Sequence, residues 1–191
     1  MKRFVFLLVY IFLAVVISGC RGPAAANNGV EVIVDDGGQF PEFLVGTWKA
    51  ESGGWEFIFE TDGKISSAIV SIGRAKLQPG RTTTVPMQMG GKGVYKPGLW
   101  TVQYSPQQRE LVVEIAIDHF RVELGDNVIH GRTRDFFTGS VSPDGKSWWA
   151  DRLTFPEYVV DTEKYNNYKL PFDPNDPPRE SILFQKIAEA N

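Results

Sequence analysis

From Gln39 onward, apolar positions recur at every second residue in short runs, separated by clusters of glycine, proline, asparagine and aspartate. That is the period of strands whose alternate side chains face a core, and no stretch carries the longer period of an amphipathic helix. Strands are predicted over residues 45–50, 55–61, 64–72, 98–104, 110–117, 120–124, 128–141, 147–155 and 181–187. The class that follows is all-β: an antiparallel up-and-down meander closed as a barrel, with a β-sandwich as the alternative.

The turns set the expected register. Glu60-Thr61-Asp62-Gly63-Lys64 and Ser142-Pro143-Asp144-Gly145-Lys146 share one plan. Each fits a three-residue hairpin loop with glycine in the left-handed conformation, where a Cβ would be strained. Pairing Glu60 with Lys64 places Trp55, Phe57, Phe59, Ile65 and Ile69 on one face. Residues 73–97 and 165–179 are rich in glycine and proline and are read as long loops closing the ends of the fold.

Parity then sorts the polar residues. With Asp126-Asn127 as a two-residue turn and Gly125 opposite Val128, residues Phe120, Val122, Leu124, Ile129, Gly131 and Thr133 face inward. His119, Arg121, Glu123, His130, Arg132 and Arg134 face out, with Glu123 opposite His130. Histidines on a charged, solvated face are poorly placed for a catalytic base or zinc ligand. Pairing Ser142 with Lys146 carries Thr133, Asp135, Phe137, Gly139 and Val141 inward, facing Trp149, Asp151, Leu153 and Phe155. Trp148 then points out. Asp135 and Asp151 become inward diagonal neighbours, with Asp118 joining them unless a bulge between Ile117 and Phe120 intervenes. Inward carboxylates need hydrogen bonds, cations or water. Asp118, Asp135, Asp151 and Trp149 are therefore the candidate ligand-binding residues. No cofactor, metal site or catalytic constellation is implied, and Met89-Gly90-Gly91-Lys92-Gly93 departs from phosphate-loop spacing.

The chain start changes the picture of where this happens. Lys2 and Arg3 precede an uncharged apolar run over residues 4–17, too short for the roughly 20 residues of a membrane-crossing helix. Such a start is a secretory signal. It ends in Ile17-Ser18-Gly19-Cys20, which holds the single cysteine of the 191 residues and resembles the lipobox of bacterial lipoproteins. The resemblance implies cleavage before Cys20, acylation of that residue and a cell-envelope location. Arg21, in place of the aspartate of inner-membrane lipoproteins, favours an outer membrane facing the periplasm in a diderm organism. The expected organisation is a signal peptide (1–19), a lipidated cysteine and flexible tether (20–38) and a β-barrel domain (39–191). Cleavage leaves 172 residues and takes the net charge from −3 to −5, which gives no electrostatic basis for nucleic-acid binding.

Phe43-Leu44-Val45-Gly46-Thr47-Trp48 resembles the Gly-x-Trp opening of lipocalin-type barrels, in which tryptophan plugs the closed end. That resemblance implies a cavity for a small apolar molecule. The leading expectation is a non-enzymatic envelope lipoprotein binding a small apolar or glycan ligand or an envelope component. A structural or protein-interaction lipoprotein (an inhibitor or assembly factor) is the second reading. A glycan-active enzyme using Asp135 and Asp151 is the third.

Overall fold

The computed structural model describes residues 29–70, 74–87, 90–162, 166–169 and 173–187. Cys20 and the expected signal peptide lie outside the described residues. Among those described there is no α-helix, and no helix long and apolar enough to cross a membrane. The strands are β1 (Val30–Val34), β2 (Gly46–Ala50), β3 (Glu56–Phe59), β4 (Ile65–Val70) and β5 (Ala75–Leu77). They continue as β6 (Thr83–Pro86), β7 (Lys92–Pro97), β8 (Trp100–Ser105), β9 (Glu110–Leu124) and β10 (Asn127–Val141). The last three are β11 (Ser147–Asp161), β12 (Tyr168–Lys169) and β13 (Arg179–Lys186).

All thirteen belong to one mixed sheet whose main path runs β1-β8-β9-β10-β11-β13-β2-β3-β4-β5. β1 pairs with β8 in parallel, and the other ladders are antiparallel. β9, β10 and β11 have 15 residues each, about 50 Å of strand at ~3.3 Å per residue. One half of this long ribbon carries β8 and β13. The other half carries β7, which pairs with residues 117–122 of β9, and the two-residue β12 on β11.

The sheet curls over its own inner face. Trp55, next to β3, and Phe137, on β10, have ring centroids 4.8 Å apart. In the strand order β3 and β10 are four steps apart, which in a flat sheet means about 19 Å. Curling fills the concave side with Trp55, Phe57, Phe137, Trp148 and Phe184, in ring contacts between 4.8 and 6.4 Å. Buried indoles find carbonyls: Trp48 Nε1 donates to Leu44 O (2.8 Å), Trp100 Nε1 to Ala116 O (3.0 Å) and Trp148 Nε1 to Gly139 O (3.1 Å).

The expected barrel is not closed. Among the described residues no ladder joins β1 to β5, so the architecture is an open, curled sheet, nearer the sandwich alternative. The gap is approached by side chains and turns: Gly29 lies against Pro79 and Gly80, and Gly63 against Val32 and Phe40. The tether expected to run to residue 38 also ends earlier, since Val30–Val34 is a sheet strand followed by a 3-10 turn, Asp35–Gly37. The supposed loop 73–97 contains β5, β6 and β7, too short to stand out against their glycines and prolines. Asn167 and Tyr168 lead β12 within the second supposed loop.

Trp48 is wholly buried, and Lys186 stands opposite it on β13.

Buried tyrosines give the fold an alkaline limit. Burial pushes the Tyr95 phenol from its ordinary 10 up to about 12. Tyr158 is raised too, first by burial and then by the Asp135 charge. The folded chain therefore keeps protons that the unfolded chain releases near pH 10. Stability is expected to fall as pH climbs from about 10 through about 12. Urea midpoints measured across that window check this, and Tyr95→Phe should make the decline shallower.

Candidate functional site

One turn decides which residues meet inside the sheet. The first Asp-Gly hairpin closes as expected: Glu60 N donates to Lys64 O (2.8 Å), and Gly63 is left-handed. In the second, Ser142 N donates to Ser147 O (2.8 Å), so the loop holds four residues, not three. The Ser142 hydroxyl is the cause. Its Oγ accepts from Ser147 N (2.9 Å) and Lys146 N (3.2 Å) and donates to Asp144 Oδ1 (2.5 Å). Glu60 has no hydroxyl to hold that extra residue.

A one-residue slip sends every side chain of β11 to the opposite face from the one expected. Val141 pairs with Trp148 and Asp135 with Thr154. Trp148 is fully buried and Trp149 is 62 % exposed, the reverse of the expectation. Asp135 does point inward and is 2 % exposed, but Asp151 lies on the outer face, where Oδ1 accepts from the Ser181 hydroxyl at 2.6 Å. The two carboxylates are therefore separated by the sheet and form no acid–base pair. Asp118 is also excluded from the cluster. It is exposed at the bulge where the β9–β10 register shifts, its carboxylate against Gly98.

The partner that Asp135 meets instead is Arg152, brought inward by the same slip. Arg152 Nε and Nη2 donate to Asp135 Oδ1 at 2.9 and 2.6 Å, and Nη1 reaches Glu180 Oε2 at 3.3 Å. The guanidinium sits 5.0 Å from the centroid of Trp55. The cluster neutralises a buried charge and leaves the guanidinium engaged on three sides. The Trp55 indole N–H is buried without an acceptor, a cost of about 1–3 kcal/mol. Alternation alone favoured the wrong face, because Trp149, Leu153 and Phe155 form the more apolar set. Phe155 instead packs edge-on against Phe136 outside, at 5.7 Å. The Ser142 hydroxyl was the available signal for the true register.

Other parities hold with local shifts. Phe120 and Val122 are buried while His119, Arg121, Arg132 and Arg134 are exposed. Here the turn is Gly125-Asp126, with Leu124 opposite Asn127. A two-residue slip preserves the face but moves partners, so His130 faces Arg121, not Glu123, and contacts Asp161 at 3.3 Å. In β4 a bulge opposite Ile58 and Phe59 brings Ala68 and Val70 into the core, and Ile69 leaves it.

Recesses lie at the surface. One of about 750 Å³ is lined by Val32–Val34, Gly37–Phe40, Thr61 and Asp62, and another of about 430 Å³ lies beyond it, between Val30, Pro79 and the β3–β4 turn. A third, about 290 Å³, lies at the Asp118 bulge between Arg132, Arg134, Phe155 and Glu157. There Arg132 is paired with Glu157 (2.8 Å) and Arg134 with Glu114 (3.3 Å). No family model, characterised protein or solved structure matches the chain.

Proposed function

We propose that the mature protein is a non-enzymatic, lipid-anchored binding domain that holds an envelope component on its outer surface. The observation that carries this reading is the interior, filled by five mutually packed aromatic rings where an apolar ligand was expected. Binding is then left to the outside. Of five tryptophans, four are buried and Trp149 alone projects from the sheet. Its cross-strand neighbours Leu183 and Ser140 leave its ring uncovered. Exposed aromatics of this kind are favoured anchors for partners. Attachment through Cys20 rests on the lipobox resemblance and keeps the domain at a membrane surface.

A photo-crosslinking residue at position 149 in intact cells is expected to give one dominant adduct. Cys20→Ser should move the protein to the soluble fraction and weaken that adduct. Trp149→Ala should shift stability by no more than about 0.5 kcal/mol. Absence of any adduct, or a small molecule retained in native mass spectrometry, would overturn the surface-binding reading.

A further inference from the structure

We propose that the free edge of β1 takes up an extended, lysine- or arginine-bearing segment of an envelope protein as an added strand. This goes beyond the surface-binding reading above, whose anchor Trp149 lies on β11, four ladders from β1, and adds a second site for an envelope partner. Trp100 N donates to Gly29 O at 2.9 Å, which fixes the phase of the parallel β1–β8 ladder. Residues 29, 31 and 33 turn their backbone groups to β8, and by alternation Val30, Val32 and Val34 turn theirs to the open side. No backbone hydrogen bond joins these three to another described strand or loop on that side.

The other edges are blunted in ways that β1 is not. β5 has three residues and carries Lys76, β6 ends in Pro86, and β12 has two residues. β1 has five, with neither lysine nor proline. Short strands, lysine and proline are the usual guards against strand addition, and their absence leaves a template. The edge opens onto the recess of about 750 Å³, whose floor includes the half-buried Val32 and Phe40.

Charge selects the occupant. Glu31 stands on β1, and Glu60 and Asp62 stand on the facing hairpin, whereas Asp35 and Asp36 turn to Gln103 and Gln107 on the β8 side. Among the described residues lining the recesses Lys64 is the cation, and it is already bound to Asp62 at 2.5 Å. An incoming strand with apolar residues facing the recess and basic residues facing the rim satisfies both surfaces, whereas an acidic strand meets repulsion.

The test uses the full mature chain carrying Cys20→Ser, ¹⁵N-labelled, and a capped heptapeptide alternating lysine and valine. Amide exchange at Val32 and Val34 is expected to slow at least tenfold with peptide, while β9 amides do not change. Binding should weaken severalfold between ~50 and ~300 mM salt. A glutamate–valine peptide should not bind. Val32→Pro removes an edge-facing N–H that β8 does not use, so the fold survives and peptide binding drops at least tenfold. The double variant Glu60→Lys/Asp62→Lys, on the facing hairpin, should lose binding without touching the edge. The proposal fails if about 1 mM peptide produces no protection. It also fails if acidic and basic peptides bind alike, or if the free protein already protects Val32 and Val34 as it does β9. A dimer that Val32→Pro dissolves would assign the edge to a second copy and likewise overturn it. Failure here with a position-149 adduct intact removes the strand-addition site and spares the surface-binding reading. Loss of both removes both.

Discussion

Arg152→Met is expected to cost about 3–5 kcal/mol of stability, since it strands a buried carboxylate. Asp135 is 2 % exposed, and its Oδ1 receives two hydrogen bonds from the guanidinium. Without them the buried carboxylate loses its charged partner in an apolar setting, which opposes folding. For a domain of this size that is a fall on the order of 10 °C in Tm. The double variant Asp135→Leu/Arg152→Met removes both charges and should recover most of the loss, because well-packed apolar pairs replace buried ion pairs at little cost. Thermal and urea unfolding of the two singles and the double provide the cycle. A single-variant loss below about 1 kcal/mol would mean that water, not Arg152, satisfies Asp135.

Gly139→Ala is the second large effect, about 3 kcal/mol or more, with an altered denaturant slope if the ribbon straightens. A Cβ at Gly139 would lie 1.8 Å from Trp149 O and 2.8 Å from its carbonyl carbon. These are backbone atoms in the paired strand, so no rotamer change relieves them. Gly131, eight residues away on the same strand, meets Glu157 O at 2.0 Å in the same way. Two such close approaches let the long β10–β11 hairpin bend where the curled body requires it. Thr138→Ala, on the exposed face beside Gly139, is the control and should change stability by less than about 0.5 kcal/mol. If Gly139→Ala matched that control, the bend would not depend on glycine.

Elements whose signal is local are legible in the sequence. The Glu60–Lys64 hairpin follows from its Asp-Gly turn, and Trp55, Phe57, Phe59 and Ile65 all reach the core as the alternation requires. The bulge in β9 shows in the change of apolar phase between Ile117 and Phe120. Where the structure departs from simple alternation, the cause is small and its effect large. The Ser142 hydroxyl adds one residue to a turn, and that residue exchanges Trp148 for Trp149 and Arg152 for Asp151 throughout β11. Short strands such as β1 and β5 carry too few residues for alternation to register, and their pairing partners lie far along the chain.

The all-β class, most strand positions and the inward aim of Asp135 are legible in the amino-acid sequence, and the proposed membrane attachment rests on its resemblance to a lipobox. The structural features depend on residues near one another in the chain, where alternation and turn chemistry act directly. Only the tertiary structure decided that the sheet curls without closing, that its concave side is packed with aromatic rings and that Asp135 meets Arg152. It alone left Trp149 and the β1 edge outside. Closure, packing and edge exposure are set by contacts between strands distant in sequence. A one-residue change in register redistributes all of them while barely altering the local pattern.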